Sequence, residues 1–552
     1  MRRTRARRLG LVSLVVALGL LGAACGDDDG GDDVGSDTTA AAGGPTTSGA
    51  TTSTAVSTAE DVDPAGVVRW AADLSGAATG RVHFDPAAST VASADTEEQW
   101  LVYDSLLRAT PDGRWEPGLA TSAEILDPQT IEVELRPDVV FSDGTAFDAE
   151  AVKFGIERNL AVPVPRRQFR AELGDLDSVE IVDPMTVRLH LNKPTAGAFY
   201  PLLGGQETFI VSPTAARSGA NLDDAPVGAG PFLMREFLPE RHIVYERDPD
   251  YWDADNVRLG GIEFVHVTAG PQRLNALRGG EVDISVLTIT ELPSVQGSEL
   301  EVDTRTVENQ FLWLPVCKSR PPLDDVRVRQ ALNFAINRDA INDALLHGEG
   351  EPMWMLWAQG TPYYVDELEG QYAYDPDRAR QLLAEAGHAD GLSVTVLAFP
   401  GSPLQQQAAE VLQAQWADVG VTVEIVQSAN AVQEFYVETR YDMAVLSSQR
   451  GGILKLSGPF RPGSIGNVCQ YDNPELNTII DRIAAVPDGS PEAVEAWADA
   501  QRLVVDEALS IWGNFIPAVH AWDPEKLGGV DFVLQSGAVG LTPVFTEMYV
   551  KA

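Results

Sequence analysis

Four polar side chains follow a short apolar run in the second half of the chain: Ser447, Ser448, Gln449 and Arg450 come after residues 443–446. The run has the composition of a buried strand, and a loop rich in glycine and proline comes next. Polar groups at the carboxyl end of such a strand face the crevice in which α/β proteins bind ligands. The spacing predicts non-covalent recognition, with Arg450 pairing with an anionic group. An ordinary ion pair is the alternative for Arg450.

An aromatic cluster follows the Gly-Glu-Gly sequence at 348–350. It contains Trp354, Trp357, Tyr363 and Tyr364. Aromatic side chains in a loop can enclose a ligand at little entropic cost, but such a cluster is equally typical of an apolar core. Both interpretations stay open. Two further candidates for ligand binding, His83 and Asp85, lie in a loop near the amino-terminal edge.

Patterns for catalysis and metal binding are weak. Residues 462–466 lack the first glycine of a nucleophile elbow, and residues 227–231 lack the Lys-Ser/Thr of a phosphate loop. The seven histidines are scattered without a metal-binding spacing. We therefore expect no enzymatic activity, no metal and no cofactor.

Two cysteines, Cys317 and Cys469, remain after Cys25. Outside the cytoplasm they could form a disulfide, but nothing in the local sequence requires it. Two buried thiols are the alternative.

Composition narrows the class of partner. The chain has 552 residues, 44% of them hydrophobic, and a formal charge of −41. This length and hydrophobic content can build two or three domains. A negative field of this size repels phosphate backbones, so we expect no nucleic-acid partner. Solvation of a long chain explains the charge more simply than an acidic ligand trap does.

The amino terminus resembles a bacterial lipoprotein signal. Five arginines in the first eight positions precede an apolar run at 9–21, and small residues at 22–24 precede Cys25. Gly22 replaces the leucine usual three positions before the cysteine. The resemblance implies a signal peptide over 1–24, lipidation of Cys25 and anchoring to the outer face of the cytoplasmic membrane. Residues 25–61, rich in Asp, Ser, Thr and Gly, predict a disordered acidic tether.

Alternating strands and helices indicate an α/β arrangement in the second half of the chain. An apolar strand at 311–316 leads through Pro-Pro to an amphipathic helix that starts near Asp324 or Asp325. The other expected elements are strands at 67–72, 131–135, 392–398, 422–426, 443–446 and 512–519, and helices at 96–107, 375–386, 404–419, 475–485 and 491–509.

The most specific pattern lies between residues 115 and 158. It consists of Trp115, Pro117, Leu119, Ala120, Leu135, Arg136, Val139 or Val140, Phe141, Ser142, Asp143, Gly144, Ala151, Val152 and Arg158. Further segments follow in a fixed order at 179–191, 226–253, 276–284 and 309–341. Together they resemble the signature of the peptide/nickel-type extracellular solute-binding proteins of ABC transporters. The likeness covers residues 67–550.

The resemblance implies a two-lobed α/β fold of the periplasmic-binding-protein type (class II, large oligopeptide-binding type), with a ligand cleft between the lobes. Lobe I would comprise residues 62–308 with an inserted subdomain, lobe II residues 309–510, and residues 511–552 would return to lobe I. The strand at 311–316 would then be a hinge strand.

The resemblance also implies a function. A monomer would capture a small or peptide-like solute and deliver it to the permease of an ABC transporter. Peptide-binding relatives usually carry an Asp for the ligand's amino terminus, and that position falls near Gly451 or Gly452 here. The alternatives are a ligand sensor not coupled to transport and a secreted hydrolase.

Overall fold

The computed structural model describes residues 62–74, 82–88, 96–110, 114–161, 175–400, 402–449, 451–533 and 542–552. These residues belong to one compact unit, Ala59–Ala552. The predicted signal peptide, Cys25 and the predicted tether through residue 61 lie outside them. Within the described ranges, no helix is both long and apolar enough to cross a membrane.

The elements are numbered in chain order. The strands are β1 Val62–Asp63, β2 Val67–Ala72, β3 Leu107–Ala109, β4 Trp115–Pro117, β5 Ala120–Asp127, β6 Thr130–Leu135, β7 Leu176–Asp183, β8 Thr186–Leu191, β9 Phe232–Leu238, β10 His242–Arg247, β11 Gly261–His266, β12 Ile284–Leu287, β13 Glu301–Asp303, β14 Thr306–Pro315, β15 Glu351–Pro352, β16 Leu392–Ala398, β17 Val421–Val426, β18 Met443–Gln449, β19 Ser510–Pro517, β20 Val519–Trp522, β21 Leu527–Gly528, β22 Phe532–Val533, β23 Thr542–Pro543 and β24 Tyr549–Lys551. The α-helices are α1 Thr96–Val102, α2 Ala149–Ala161, α3 Ala196–Phe199, α4 Pro213–Arg217, α5 Gly270–Arg278, α6 Leu292–Val295, α7 Val326–Phe334, α8 Arg338–Leu345, α9 Pro376–Glu385, α10 Pro403–Ala417, α11 Leu454–Phe460, α12 Pro474–Ala485 and α13 Pro491–Asp506.

The first lobe is built on a seven-stranded sheet in the order β13-β20-β12-β2-β11-β10-β9. β2 lies parallel to both β11 and β12. The predicted strand at 67–72 is confirmed as β2. Its Val68 and Trp70 are fully buried in the apolar cluster that fills this lobe. In a separate three-stranded sheet, β1-β24-β21, Val62 of β1 lies opposite Lys551 of β24.

A smaller antiparallel sheet, β5-β6-β8-β7, forms a subdomain inserted in the first lobe. Its strand β6 confirms the predicted alternation, because Ile131, Val133 and Leu135 are buried whereas Glu134 is exposed. The Ser-Asp-Gly turn that follows is fixed by Asp143, whose carboxylate accepts hydrogen bonds from Thr145 and from Ser212 Oγ at 2.6 Å. This turn therefore joins the subdomain to the rest of the lobe.

The second lobe contains a six-stranded sheet in the order β15-β19-β14-β18-β16-β17. β16 lies parallel to its neighbours β17 and β18, with α10 packed against this part of the sheet. The predicted strands at 392–398, 422–426 and 443–446 are confirmed, and β18 continues to Gln449. The α/β arrangement expected for this half of the chain is present.

The chain changes sheets twice, at adjacent positions. β13 belongs to the first sheet and β14 to the second, and β19 and β20 make the reverse change. The backbone N–H of Ala518 donates to Arg305 O at 3.1 Å between the two connections. These changes of sheet lie at 304–305 and 518, because β14 and β19 pair within the second sheet almost up to the connections. The lobe boundaries at 308/309 and 510/511 stay predictions.

Helix α7 begins as expected, since Asp325 caps it by accepting a hydrogen bond from Arg327 N. Its buried Arg329 donates to four backbone carbonyls, those of Leu323, Asp324, Glu507 and Ala508, at 2.6–3.2 Å. Two of these carbonyls lie just beyond the carboxyl end of α13. Arg329 thus satisfies carbonyls that the end of that helix leaves without partners.

Replacing Arg329 with Met is expected to lower the free energy of unfolding by about 3 kcal/mol, because the buried carbonyls lose their donor. Urea denaturation followed by circular dichroism measures this change. Arg327→Met on the same helix is the control, since its side chain is exposed and pairs with Asp325. Equal stability of the two variants would contradict the role given to Arg329.

Candidate ligand-binding cleft

One edge of the second lobe collects the carboxyl ends of its parallel strands. β16 ends at Ala398, β17 at Val426 and β18 at Gln449. Gln449 lies opposite Gln310 of β14, close to the connection between the lobes. The loops at this edge therefore lie beside the first lobe, as expected for a ligand-binding edge of an α/β sheet.

The first lobe presents the corresponding edge of its own parallel strands. β2 ends at Ala72, β11 at His266 and β12 at Leu287. Leu287 lies opposite Val519, the first residue after the second connection. Both lobes therefore direct the carboxyl edges of their sheets to the paired connections. A cleft bounded by two such edges is the candidate functional site.

Asp85 lies in the first-lobe segment that follows β2. Its carboxylate makes a two-pronged ion pair with Arg158, at 2.7 and 2.5 Å. Asp223 holds the same segment by accepting hydrogen bonds from the backbone N–H groups of Phe84 and Asp85, and it contacts His83 Nδ1 at 2.9 Å. Asp85 thus fastens this segment to α2, and its contact with a ligand stays a prediction.

The predicted aromatic cluster divides into two parts. Trp357 and Tyr363 pack against each other and against Trp497, with ring centroids 4.7–5.5 Å apart. The Trp357 and Tyr363 rings are about 95% buried, which favours the packing alternative for these two residues. Trp354 is only partly buried, and its ring lies 5.0 Å from the guanidinium of Arg338. Tyr364 is likewise only partly buried, so Trp354 and Tyr364 are the two of the four that have surface left for a ligand.

The polar residues after residue 446 lie at the end of β18. Ser447 is hydrogen-bonded to Gln405 of α10 at 2.9 Å. Ser448 and Gln449 pair through their backbones with Phe311 and Gln310 of β14. Arg450 lies outside the described residues.

Lys455, which the sequence patterns did not single out, connects two predicted ligand-binding segments. It follows the loop after β18 and is 1% exposed. Its ammonium donates to Leu356 O at 3.1 Å and lies 3.8 Å from the ring centroid of Trp357. A cation over an indole face is attracted electrostatically. Trp357 is 98 residues away from Lys455 in the sequence, so no local pattern could reveal this contact.

A disulfide joins Cys317, just after β14, to Cys469, with the two Cα atoms 5.2 Å apart. The adjacent Lys318 is buried, and its ammonium lies 5.2 and 5.6 Å from the rings of Phe460 and Tyr471. Burial, helped by the charge of Arg329, lowers the pKa of Lys318 from 10.5 to about 7. Among the described residues, no group of three or more His, Cys, Asp or Glu side chains could hold a metal.

Comparison with known families settles the class of protein. Residues 114–453, more than half of the chain, match the family described as bacterial extracellular solute-binding proteins, family 5 Middle. This chain belongs to that family.

Relatives of this family 5 protein bind peptides and related solutes, according to their names. A glutathione-binding protein of Pectobacterium atrosepticum is 30% identical over 316 residues, which cover 56% of this chain and 60% of the relative. The di/tripeptide-binding protein 1 of Pseudomonas aeruginosa is 28% identical over 377 residues, with coverage of 62% and 69%. This chain therefore matches about three fifths to two thirds of the length of these curated relatives.

The fold of this solute-binding protein is also shared with solved structures. The ABC transporter substrate-binding protein CtaP of Listeria monocytogenes superposes with a TM-score of 0.76 at 23% identity, covering 89% of this chain and 100% of that one. The two-lobed α/β fold expected from the sequence is thereby confirmed.

Lys318→Met is expected to raise the melting temperature of this family 5 protein at pH 6. The unfolded chain binds the Lys318 proton below about pH 10.5, whereas the folded protein binds it only below about pH 7. The stability that this residue contributes is therefore lowest below pH 7 and rises between pH 7 and 10.5. The difference between variant and wild type should shrink by pH 9.5.

Thermal denaturation at pH 6 and pH 9.5 measures this effect. Lys193→Met is the control, because the Lys193 side chain is 66% exposed beside Asp175. If Lys318→Met shifted the melting temperature equally at both pH values, protonation of Lys318 would not be the cause.

Proposed function

We propose that this protein captures a small solute in the cleft between its lobes and delivers it to the permease of an ABC transporter. One observation carries the proposal: the carboxyl edges of two parallel sheet regions meet at paired connections, in a chain that belongs to family 5. A cleft bounded by two lobes can close around a ligand by a hinge motion. The closed form is then the state that a permease can distinguish from the empty protein.

The composition of the loop after β18 supports the inference that the solute carries an anionic group. Residues 447–453, between the end of β18 and α11, contain one basic residue, Arg450, and no carboxylate. A guanidinium binds carboxylates and phosphates through paired hydrogen bonds. Gly451 and Gly452 offer no side chain for a free amino terminus, which argues against recognition of a peptide through that contact. The names of the relatives make glutathione, an anionic peptide, a suitable first probe.

The cell envelope is the proposed location. Cys25 would carry the lipid, and residues 25–61 would tether the lobes to the outer face of the cytoplasmic membrane. The protein would act as a monomer. A Ser/Thr/Gly-rich acidic segment of this kind has almost no apolar side chains to bury. The tether would let the lobes reach a permease in the same membrane.

Arg450→Ala is expected to weaken binding of an anionic solute by about tenfold or more, because a charged hydrogen-bonding partner is lost. A thermal-shift screen of glutathione, other peptides, sugars, amines and metal complexes identifies a ligand by a rise in melting temperature. Calorimetry then compares wild type with Arg450→Ala and with the control Arg440→Ala, whose exposed side chain pairs with Glu434 and Glu438. Unchanged affinity in Arg450→Ala would remove the anionic contact, and turnover of an ester or peptide without any thermal shift would contradict solute capture.

Cys25→Ser is expected to move the protein from the membrane fraction to the soluble fraction, since one lipidated cysteine would provide the anchor. Fractionation of the expressing bacteria followed by immunoblotting measures the distribution. Ser36→Ala, in the predicted tether, is the control, because it changes a nearby residue and leaves Cys25 and the Cys317–Cys469 disulfide in place. Retention of Cys25→Ser in the membrane fraction at the size of the processed protein would contradict lipid anchoring at this residue.

A further inference from the structure

One carboxylate connects both lobes and the segment between them. Glu349 lies in the second lobe, between α8 and β15. It accepts a hydrogen bond from Gln296 Nε2 at 3.1 Å and another from Thr304 Oγ1 at 3.3 Å. Gln296 follows α6 of the first lobe, and Thr304 lies in the connection between β13 and β14. The two oxygens of Glu349 therefore bind parts of the chain that a lobe rotation would move relative to each other.

The backbone around Glu349 is fixed to the second lobe. The Glu349 N–H donates to Leu346 O at 3.0 Å, and the Gly350 N–H donates to Asn342 Oδ1 at 2.8 Å. A Cβ atom at Gly350 would lie 2.4 Å from the Leu346 side chain and 2.8 Å from Phe515 O. Only glycine permits this close approach to β19. The carboxylate consequently projects from a rigid position toward the first lobe.

Glu349 and the predicted ligand loop lie on opposite sides of the connecting strands. The sheet order is β15-β19-β14-β18, so β19 and β14 separate Glu349, beside β15, from the loop after β18. A motion about the connections can therefore change the contact of Glu349 without direct contact between Glu349 and a solute.

A groove of about 400 Å³ borders the contact, with Glu349 at one side and the partly exposed Leu300 and Val302 in its lining. Leu292 and Val295, also in the lining, are fully buried in an apolar cluster that includes Leu312 and Leu314 of β14. Because this side of the connection is an open groove, the hydrogen bonds of Glu349 can break without creating a cavity in a packed core.

We propose that Glu349 is an interlobe latch, which stabilises the described arrangement of the lobes when no solute is bound. This latch rests on the proposed function, in which the lobes close around a solute. In this view, residues outside the cleft help to set the proportion of molecules in each arrangement of the lobes. A contact made in only one arrangement shifts the population toward that arrangement.

The test measures lobe separation in protein without added solute. Spin labels at Thr214→Cys in the first lobe and Glu410→Cys in the second report the distance distribution by double electron–electron resonance. Both positions are exposed. Glu349→Gln is expected to lower the ratio of the described arrangement to other arrangements by about fivefold, the effect of losing hydrogen bonds to a charged group. Glu299→Gln, on the exposed loop after Gln296, is the control for the lost charge and should leave the distribution unchanged.

A second variant keeps Glu349 in place. Gln296→Ala removes the exposed first-lobe partner and should shift the distribution in the same direction, with melting temperatures close to wild type in both variants. If both distributions superimpose on the wild-type one, the latch does not exist. That result leaves capture of a solute standing, because the measurement involves none, whereas failure of the solute screen would leave the latch unaffected.

Discussion

The two lobes depend on a pair of backbone connections that lie side by side. At 304–305 and at 518 the chain leaves one sheet and enters the other, and the Ala518 N–H donates to Arg305 O between them. Strands on each side continue almost to these points, so a hinge motion at the connections would involve only a few residues. The same geometry brings the carboxyl edges of both parallel regions together. The position of the cleft and the freedom of the lobes therefore have one structural origin.

Buried cations are a recurrent feature of the second lobe. Arg329, Arg338, Lys318 and Lys455 are each at most 4% exposed. Arg338 donates to Tyr372 O and lies beside Trp354, and burial lowers its pKa to about 9. Backbone carbonyls and aromatic rings contact these groups, which compensates only part of the desolvation of a charge. Such residues fix chain segments relative to one another.

Sequence patterns predict most of the regular elements because apolar periodicity is a local signal. β2, β16 and α12 lie within about one residue of their predicted positions. The first residues of β14, from Thr306 to Gln310, are largely polar, and they form a strand because they pair with the neighbouring strands β18 and β19. The apolar pattern of the sequence therefore misses them. Helix α1 ends at Val102, before the predicted 107. Beyond the helix, the Asp104 carboxylate accepts hydrogen bonds from Arg108, Tyr251 and Trp252. Tyr251 and Trp252 are distant in sequence, so the local pattern does not reveal this end of the helix.

The candidate site is harder to predict from the sequence, because its contacts join residues that are distant in the chain. An aromatic residue such as Trp357 can belong either to an apolar core or to a ligand-binding surface. Its packing against Trp497 places it in the core. The roles of Glu349 and Lys455 depend on partners 45 to 99 residues away in the chain.

The pairing of β1 with β24 has a mechanical consequence. Val62 and Lys551 are neighbours in one small sheet on the first lobe, and Val550 packs with the core of that lobe. Any tension transmitted through the segment before Val62 is applied to the first lobe, close to the other end of the described chain. The covalent path from that segment to the second lobe runs through the connections at 304–305 and 518. An anchored molecule would thus be held by its first lobe, and the second lobe would be attached to the anchor only by way of the first.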